Sequence, residues 1–260
     1  MARNSGTREA KKNGRRINWR LLFAGIVLLA ASVSTAMAGY KVHHYVLNDP
    51  QFNLSRERRD SITIQGLVYA SKWKVQRVFA NDFDHSIFAV PLEERRRRLM
   101  GIDWIEDASI SRVWPDRLVV RIKERKPVAF VSARSGFLLV DAHGVLLEQP
   151  LQAQFSFPVL AGIREDESDN ARRERVRAFL DFQQDMGYLS KDISEVDATD
   201  PDNIRVITQM DHRAITLLMG ESNFAHRYQH FVKNYPEIRK RSPVAKAFDL
   251  RLDDRITVKE

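Results

Sequence analysis

The chain of 260 residues contains no cysteine, which removes disulfide bridges and thiolate chemistry and leaves its folded part to be held by its own core. It has no Gly-rich phosphate loop, no G-x-S-x-G nucleophile elbow and no Ser-x-x-Lys set, so the familiar machinery of phosphoryl and acyl transfer is missing. No internal repeat recurs along it, which sets solenoids and arrays aside. A basic surplus is also scarce where nucleic-acid binding would need it. The net charge is +8, but residues 1–20 hold seven Lys or Arg against Glu9 alone, leaving 35 basic and 33 acidic residues beyond. The high pI therefore reports topology more than a basic face on a folded domain. With 43% hydrophobic and 29% charged residues, the remainder has the composition of a globular protein.

What the chain does have is Leu21 to Tyr40, LLFAGIVLLAASVSTAMAGY, a run of twenty residues without a charge. At about 1.5 Å per residue it covers the ~30 Å hydrocarbon core, and a helix satisfies every backbone group there. The basic tail before it predicts a cytoplasmic N-terminus and an exported remainder. A cleaved secretory signal is the competing reading, because Ala36-Met37-Ala38 has the small-x-small cleavage pattern, and a mature start at Gly39 would mark it. The uncharged run exceeds the ~7–15 residues of a usual signal core, which favours an anchor. Lys41 to Asp60, with Asn48-Asp49-Pro50 and Arg56-Glu57-Arg58-Arg59, reads as a polar spacer.

From Ser61 the pattern becomes regular. Ile62 and Ile64 alternate with polar neighbours up to Gly66, giving a short strand. Ser71 is a candidate N-cap for a helix carrying Val75, Val78 and Phe79 on one face, and a second helix starts near Pro91 with Leu92 and Leu99 inward. Ala108 and Ile110 alternate in a strand, Trp114-Pro115-Asp116-Arg117 turns the chain, and Leu118, Val120 and Ile122 alternate in another. Further on, strands are expected at Phe137–Val140 and Val145–Leu147, at Ile193–Ala198, Ile204–Met210 and Ala214–Met219, and finally as one strand over Phe248–Val258. Helices are expected from Asn170 to Met186 and from Phe224 to Asn234, the latter ending before Pro236.

The segment from Trp104 through Ala108, Ile110, Arg112, Trp114 and Pro115 to Leu118, followed by Glu124-Arg125-Lys126-Pro127, resembles the POTRA signature of the bacterial cell-division family FtsQ/DivIB. Leu139-Val140-Asp141-x-x-Gly144, Pro158-Val159-Leu160-Ala161-Gly162 and Phe248-Asp249-Leu250-Arg251-Leu252 are similar to further motifs of that family, with Leu252 in place of its usual Tyr and Asp254-Arg255 lacking its Gly. The resemblance implies an α+β chain: a cytoplasmic tail over 1–20, one transmembrane helix over 21–40, a linker over 41–60, a POTRA domain (βααββ) over 61–126 and a β-rich domain over 127–260 with helices packed on an antiparallel sheet. It further implies a division scaffold of the inner membrane, single-pass with the C-terminal domains periplasmic, that binds FtsB- and FtsL-like single-span partners at the septum through Asp249, Arg251, Leu252, Ile256 and Val258. No enzyme activity, cofactor, metal, nucleic acid or small-molecule substrate is implied. The alternative is a POTRA-bearing secretion or envelope-assembly protein, which would need a long run of amphipathic strands after its POTRA domains.

Other features have plainer readings. His226 and His230 stand at i, i+4 on an expected helix without a third ligand, and His43 and His44 lie just past the span. The run Arg95 to Arg98 is spread around a helix, so its heads are expected in solvent with stems on the core; Trp73, Trp104 and Trp114 are expected to pack in the core or at its rim. Glu165-Asp166-Glu167 is expected as a solvated loop.

Overall fold

In the computed structural model, residues 19–134 and 136–259 are described; the basic tail lies outside them except for its last two residues. Helix α1, Trp19–Asn48, runs 30 residues, and Phe23–Asn48 within it is long and apolar enough to cross a membrane. Two of its hydroxyls bond back to carbonyls one turn earlier, Ser32 Oγ to Leu29 O at 2.8 Å and Thr35 Oγ1 to Ala31 O at 2.9 Å, so these two donors need no water. The helix continues eight residues past Tyr40, through the first part of the stretch read as a spacer.

The described chain divides into two compact units. The first joins α1 and the residues up to Ser61 with Asp82–Val90 and Arg112–Arg117. Asp49 caps a 3-10 turn at Pro50–Phe52 by accepting from the Gln51 N–H at 2.9 Å. Leu54 and Ile87 then donate backbone bonds to His85 O and Phe52 O, both at 2.9 Å, and Phe52, Leu54, Ile87 and Val90 are buried.

The second unit opens with strand β1, Ile62–Gln65, and helices α2, Lys72–Arg77, and α3, Leu92–Met100, and holds all but the facing ends of strands β2, Ile105–Val113, and β3, Arg117–Glu124. The three strands form one sheet in the order β1-β3-β2, with β1 parallel to β3 (Ile62↔Leu118). Ser71 caps α2, as expected, by accepting from the Lys74 N–H. Gly66 ends β1 at φ +80°, and a Cβ there would lie 2.1 Å from the Ile122 carbonyl oxygen, so only glycine fits. Glu124 collects three backbone N–H groups, of Val68, Tyr69 and Ala70, at 2.8–3.0 Å.

Two expectations hold only in part here. Arg95 is buried beside Leu99, four residues on, because i and i+4 share the inward face; Arg96 donates to Ala108 O and to Asp107, each at 2.7 Å. Of the tryptophans only Trp104 is buried, its indole N–H bonded to Glu148 O at 2.9 Å; Trp73 is exposed beneath the Arg77 guanidinium, and Trp114 is 68% exposed.

Beyond Glu124 come β4, Pro127–Ala133, β5, Gly136–Asp141, β6, Leu146–Leu147, β7, Val159–Ala161, α4, Asp169–Met186, β8, Ile193–Asp197, β9, Ile204–Met210, β10, Arg213–Gly220, α5, Phe224–Arg241, β11, Ala247–Asp249, and β12, Thr257–Lys259. They build a nine-stranded sheet in the order β12-β11-β10-β9-β8-β7-β4-β5-β6. The sheet is mixed where an antiparallel one was expected. β7 to β8 and β10 to β11 are parallel neighbours, and each pair is joined through a helix, which is the connection a parallel pair requires. Hairpin β9–β10 turns on Asp211 and His212, both at positive φ, the backbone of a two-residue I′ turn.

Helix α4 buries Val176, Phe179, Phe182 and Met186, and α5 buries Phe224, Tyr228, Phe231 and Tyr235, both at helical spacing. These rings meet across the helices and on the sheet: Phe182–Phe224 at 5.1 Å, Phe231–Phe248 at 5.1 Å. Helix α5 does not stop before Pro236. The acceptor robbed of its N–H is the carbonyl of Val232, an exposed position, and continuing the helix packs Ile238 on the core. The single strand expected over Phe248–Val258 is two, β11 and β12, antiparallel with Phe248↔Val258 and joined by a folded loop.

Candidate partner-binding surface

The sheet ends at β12, all three of whose residues are exposed, and among the described residues no strand pairs with its outer side. It is held from beneath. Phe248 in β11 is buried against Phe231 and Tyr235, and the Leu250 N–H donates to Leu218 O at 2.9 Å, leaving Leu250 buried. Arg227 of α5 fixes the loop after it, donating from Nη1 to Met219 O at 2.6 Å and from Nε to Asp253 at 2.8 Å. Gly220, at φ +78°, leaves room for the Arg227 and Arg251 side chains that lie against it.

Of the five residues expected to face a partner, the structure brings all to this end of the sheet but gives them different duties. Asp249 is half-buried and takes a forked pair of bonds from Arg251, Nε to Oδ1 at 2.9 Å and Nη2 to Oδ2 at 2.6 Å; the Arg251 backbone N–H also donates to Oδ1 at 3.2 Å, and Lys259 Nζ lies 3.6 Å from Oδ2. Those bonds, Arg251's first, hold its carboxyl at about 2. Ile256 is half-buried against the core. Leu252 and Val258 are exposed apolar side chains. The neighbours missed from sequence are Thr257 in β12 and Val244, Ala245, Lys246, Ala247 and Lys259, of which all but Thr257 line, with Val258, a depression of ≈ 580 Å³. The i, i+2 spacing of Asp249 and Arg251 signals their pairing, since such residues share a strand face; nothing in the sequence points to Arg227.

The motif residues of the resemblance are otherwise occupied with the fold. Arg125 donates to Asp141 at 2.8 Å and to Asp103 O at 2.9 Å, while Asp141, nearly fully buried, also accepts from the His143 and Val145 N–H groups. His226 and His230 flank buried Tyr228 on α5, and among the described residues no group of three or more His, Cys, Asp or Glu is placed to hold a metal ion. Glu165 and Glu167 are not simply solvated: Glu165 accepts from the Arg134 N–H at 2.7 Å and Glu167 pairs with Arg175, closing the loop before α4.

One N-terminal apolar helix, a βααββ segment and a β-rich segment with two long helices define a POTRA-bearing protein built to be anchored in a membrane. Residues 58–125 match the POTRA domain, FtsQ-type, and residues 129–251 match the family Cell division protein FtsQ/DivIB, C-terminal. A cell division protein FtsQ of Koribacter versatilis is 34% identical over 257 residues, covering 96% of this chain and 72% of that one. A cell division protein FtsQ of Shewanella oneidensis is 24% identical, covering 93% and 87%. One from Streptomyces bingchenggensis is 31% identical over 146 residues, covering 56% and 53%. A solved extracytoplasmic domain of the division protein DivIB from Geobacillus stearothermophilus overlaps 46% of this chain and 96% of its own at 22% identity, with a TM-score of 0.25, too low to bear on the fold. The chain belongs to the FtsQ/DivIB family of bacterial cell-division proteins.

Proposed function

We propose that the chain is a non-enzymatic division scaffold of the inner membrane, its tail cytoplasmic and its two folded domains, bounded near residues 61–126 and 127–260, periplasmic, which gathers FtsB- and FtsL-like single-span proteins at the septum. The observation that carries the reading is the open side of β12, where a partner strand can complete a row of backbone hydrogen bonds. Exposed Leu252 and Val258, with the depression that Val258 lines alongside Val244 and Ala247, supply contacts for alternate side chains of such a strand. The seven basic residues before the span support the orientation. Binding without chemistry is supported by the lack of catalytic motifs in the sequence and by membership in a division family.

The test is capture of an FtsB-like partner by the full chain in detergent. Val258→Asp and Leu252→Asp, each placing a charge in the contact, should cut capture at least about tenfold, while Leu151→Asp, far along the chain on an exposed loop, leaves it unchanged. Equal capture by all three variants would remove β12 as the docking edge.

A further inference from the structure

Within the first unit the aromatic side chains are linked in a series that leads off the membrane helix. Tyr45, on the last turns of α1, meets Phe52 edge-on at 5.8 Å; Phe52 in turn meets Phe88 at 5.5 Å and Trp114 at 6.3 Å. Phe52 is buried in the middle, whereas Tyr45, Phe88 and Trp114 are exposed, so the outer faces of the three rings form an apolar rim with no protein over it among the described residues. The rim is rigidly tied to the helix end. Ser86 Oγ donates to Val46 O at 2.8 Å, and Arg112 donates to Ile87 O at 2.7 Å and Val90 O at 2.8 Å, binding the Phe88 loop to the end of β2 just before Trp114.

Its height above the bilayer follows from helix geometry. The uncharged run ends at Tyr40, and Tyr45 lies five residues on, about 7–8 Å along the axis. The polar zone on each side of a bilayer is about 5–8 Å thick, so the rim stands at the headgroup level, and tilting of a 26-residue span would lower it further. Aromatic side chains are favoured at that level because the ring meets apolar matter while its polar edge stays wet. The charges nearby suit the same place: Arg58 is paired with Asp116 and Arg117 lies 3.7 Å from Asp60, so both guanidinium groups enter the interface partly neutralised.

We propose that Trp114 and Phe88 are seated in the phospholipid interface, making this rim a second, peripheral contact with the membrane beside α1. The proposal rests on α1 spanning the bilayer. With no cysteine in the chain, a single introduced thiol takes a spin label uniquely. The full chain in phospholipid nanodiscs would be labelled at Trp114→Cys, Phe88→Cys, Val244→Cys as an exposed control and Met37→Cys within the span, and the ratio of oxygen to nickel-chelate collision measured at each. At both rim sites it should exceed the Val244 value about threefold or more, and at Met37 further still. Because labelling at the rim replaces a ring, the native side chain is read separately: tryptophan emission quenched by brominated lipid should fall in Trp114→Phe relative to the unsubstituted chain. Rim ratios equal to Val244 with Met37 buried, or quenching unaffected by Trp114→Phe, would overturn the proposal and leave the rim to a protein neighbour or to water. A water-like ratio at Met37 would remove the span and the proposal together.

Discussion

Replacing Asp249 by Asn removes the anchor of the Arg251 fork and so loosens the loop that presents β12. The carboxyl lies at about 2 instead of 3.8, a difference worth at most ~2.4 kcal/mol. Arg251 is 44% exposed, and solvent screening reduces this to about 1 kcal/mol. At pH 7, then, amide hydrogens from Leu250 to Lys259 should exchange about fivefold faster in the variant, read by mass spectrometry on the full chain in detergent, with the helix α4 amides unchanged. The pH dependence has a definite sign. A carboxylate whose folded pKa lies below its unfolded one stabilises fully above about pH 4, and that contribution is lost as pH falls toward 2. The difference in thermal midpoint between the native chain and Asp249→Asn should therefore be largest near pH 5–7 and shrink toward zero near pH 2. Equal exchange in the terminal segment, or a difference that survives at pH 2, would refute the pairing as the restraint.

Three further outcomes are expected. Arg125→Ala leaves buried Asp141 short of its cation and should cost about 3–5 kcal/mol in a urea titration, while an Arg125→Met, Asp141→Leu double substitution recovers much of it. Gly66→Ala forces a Cβ toward the Ile122 carbonyl at a positive φ and should lower the thermal midpoint by roughly 10 °C; an unchanged midpoint would mean the β1 end is more pliable than its geometry. Phe231→Ala opens a cavity beneath Phe248 and should cost about 3–5 kcal/mol, and because Phe248 seats β11, it should also raise exchange in β12.

Much of the architecture was legible because long elements repeat their signal. Helix α4 shows Val176, Phe179 and Phe182 at helical spacing, and β9 and β10 alternate buried and exposed residues through Val206 and Leu217. What was not legible depends on contacts distant in sequence. Three-residue β7 has too few positions to show a period, and its parallel neighbours lie across α4 and far back in β4. Leu250 to Ile256 alternates like a strand, yet the segment is a loop whose exposed Asp253 is tied to Arg227 on α5. Of the residues expected to face a partner, Asp249 is spent on Arg251 and Ile256 on the core, contacts that the strand-like pattern of the segment does not show. Arg95 is buried for a reason local composition hides: in a run of four arginines only its position, one turn before Leu99, places it on the inward row of the helix.

The two flanks of the nine-stranded sheet are unequal, since β6 offers only Leu146 and Leu147 for pairing beside β5. Were both flanks long and open, copies could join side by side without limit, each lending its flank to the next. A stub of two residues leaves a neighbouring copy little backbone to pair with, so the β6 flank is blunted against edge-to-edge joining.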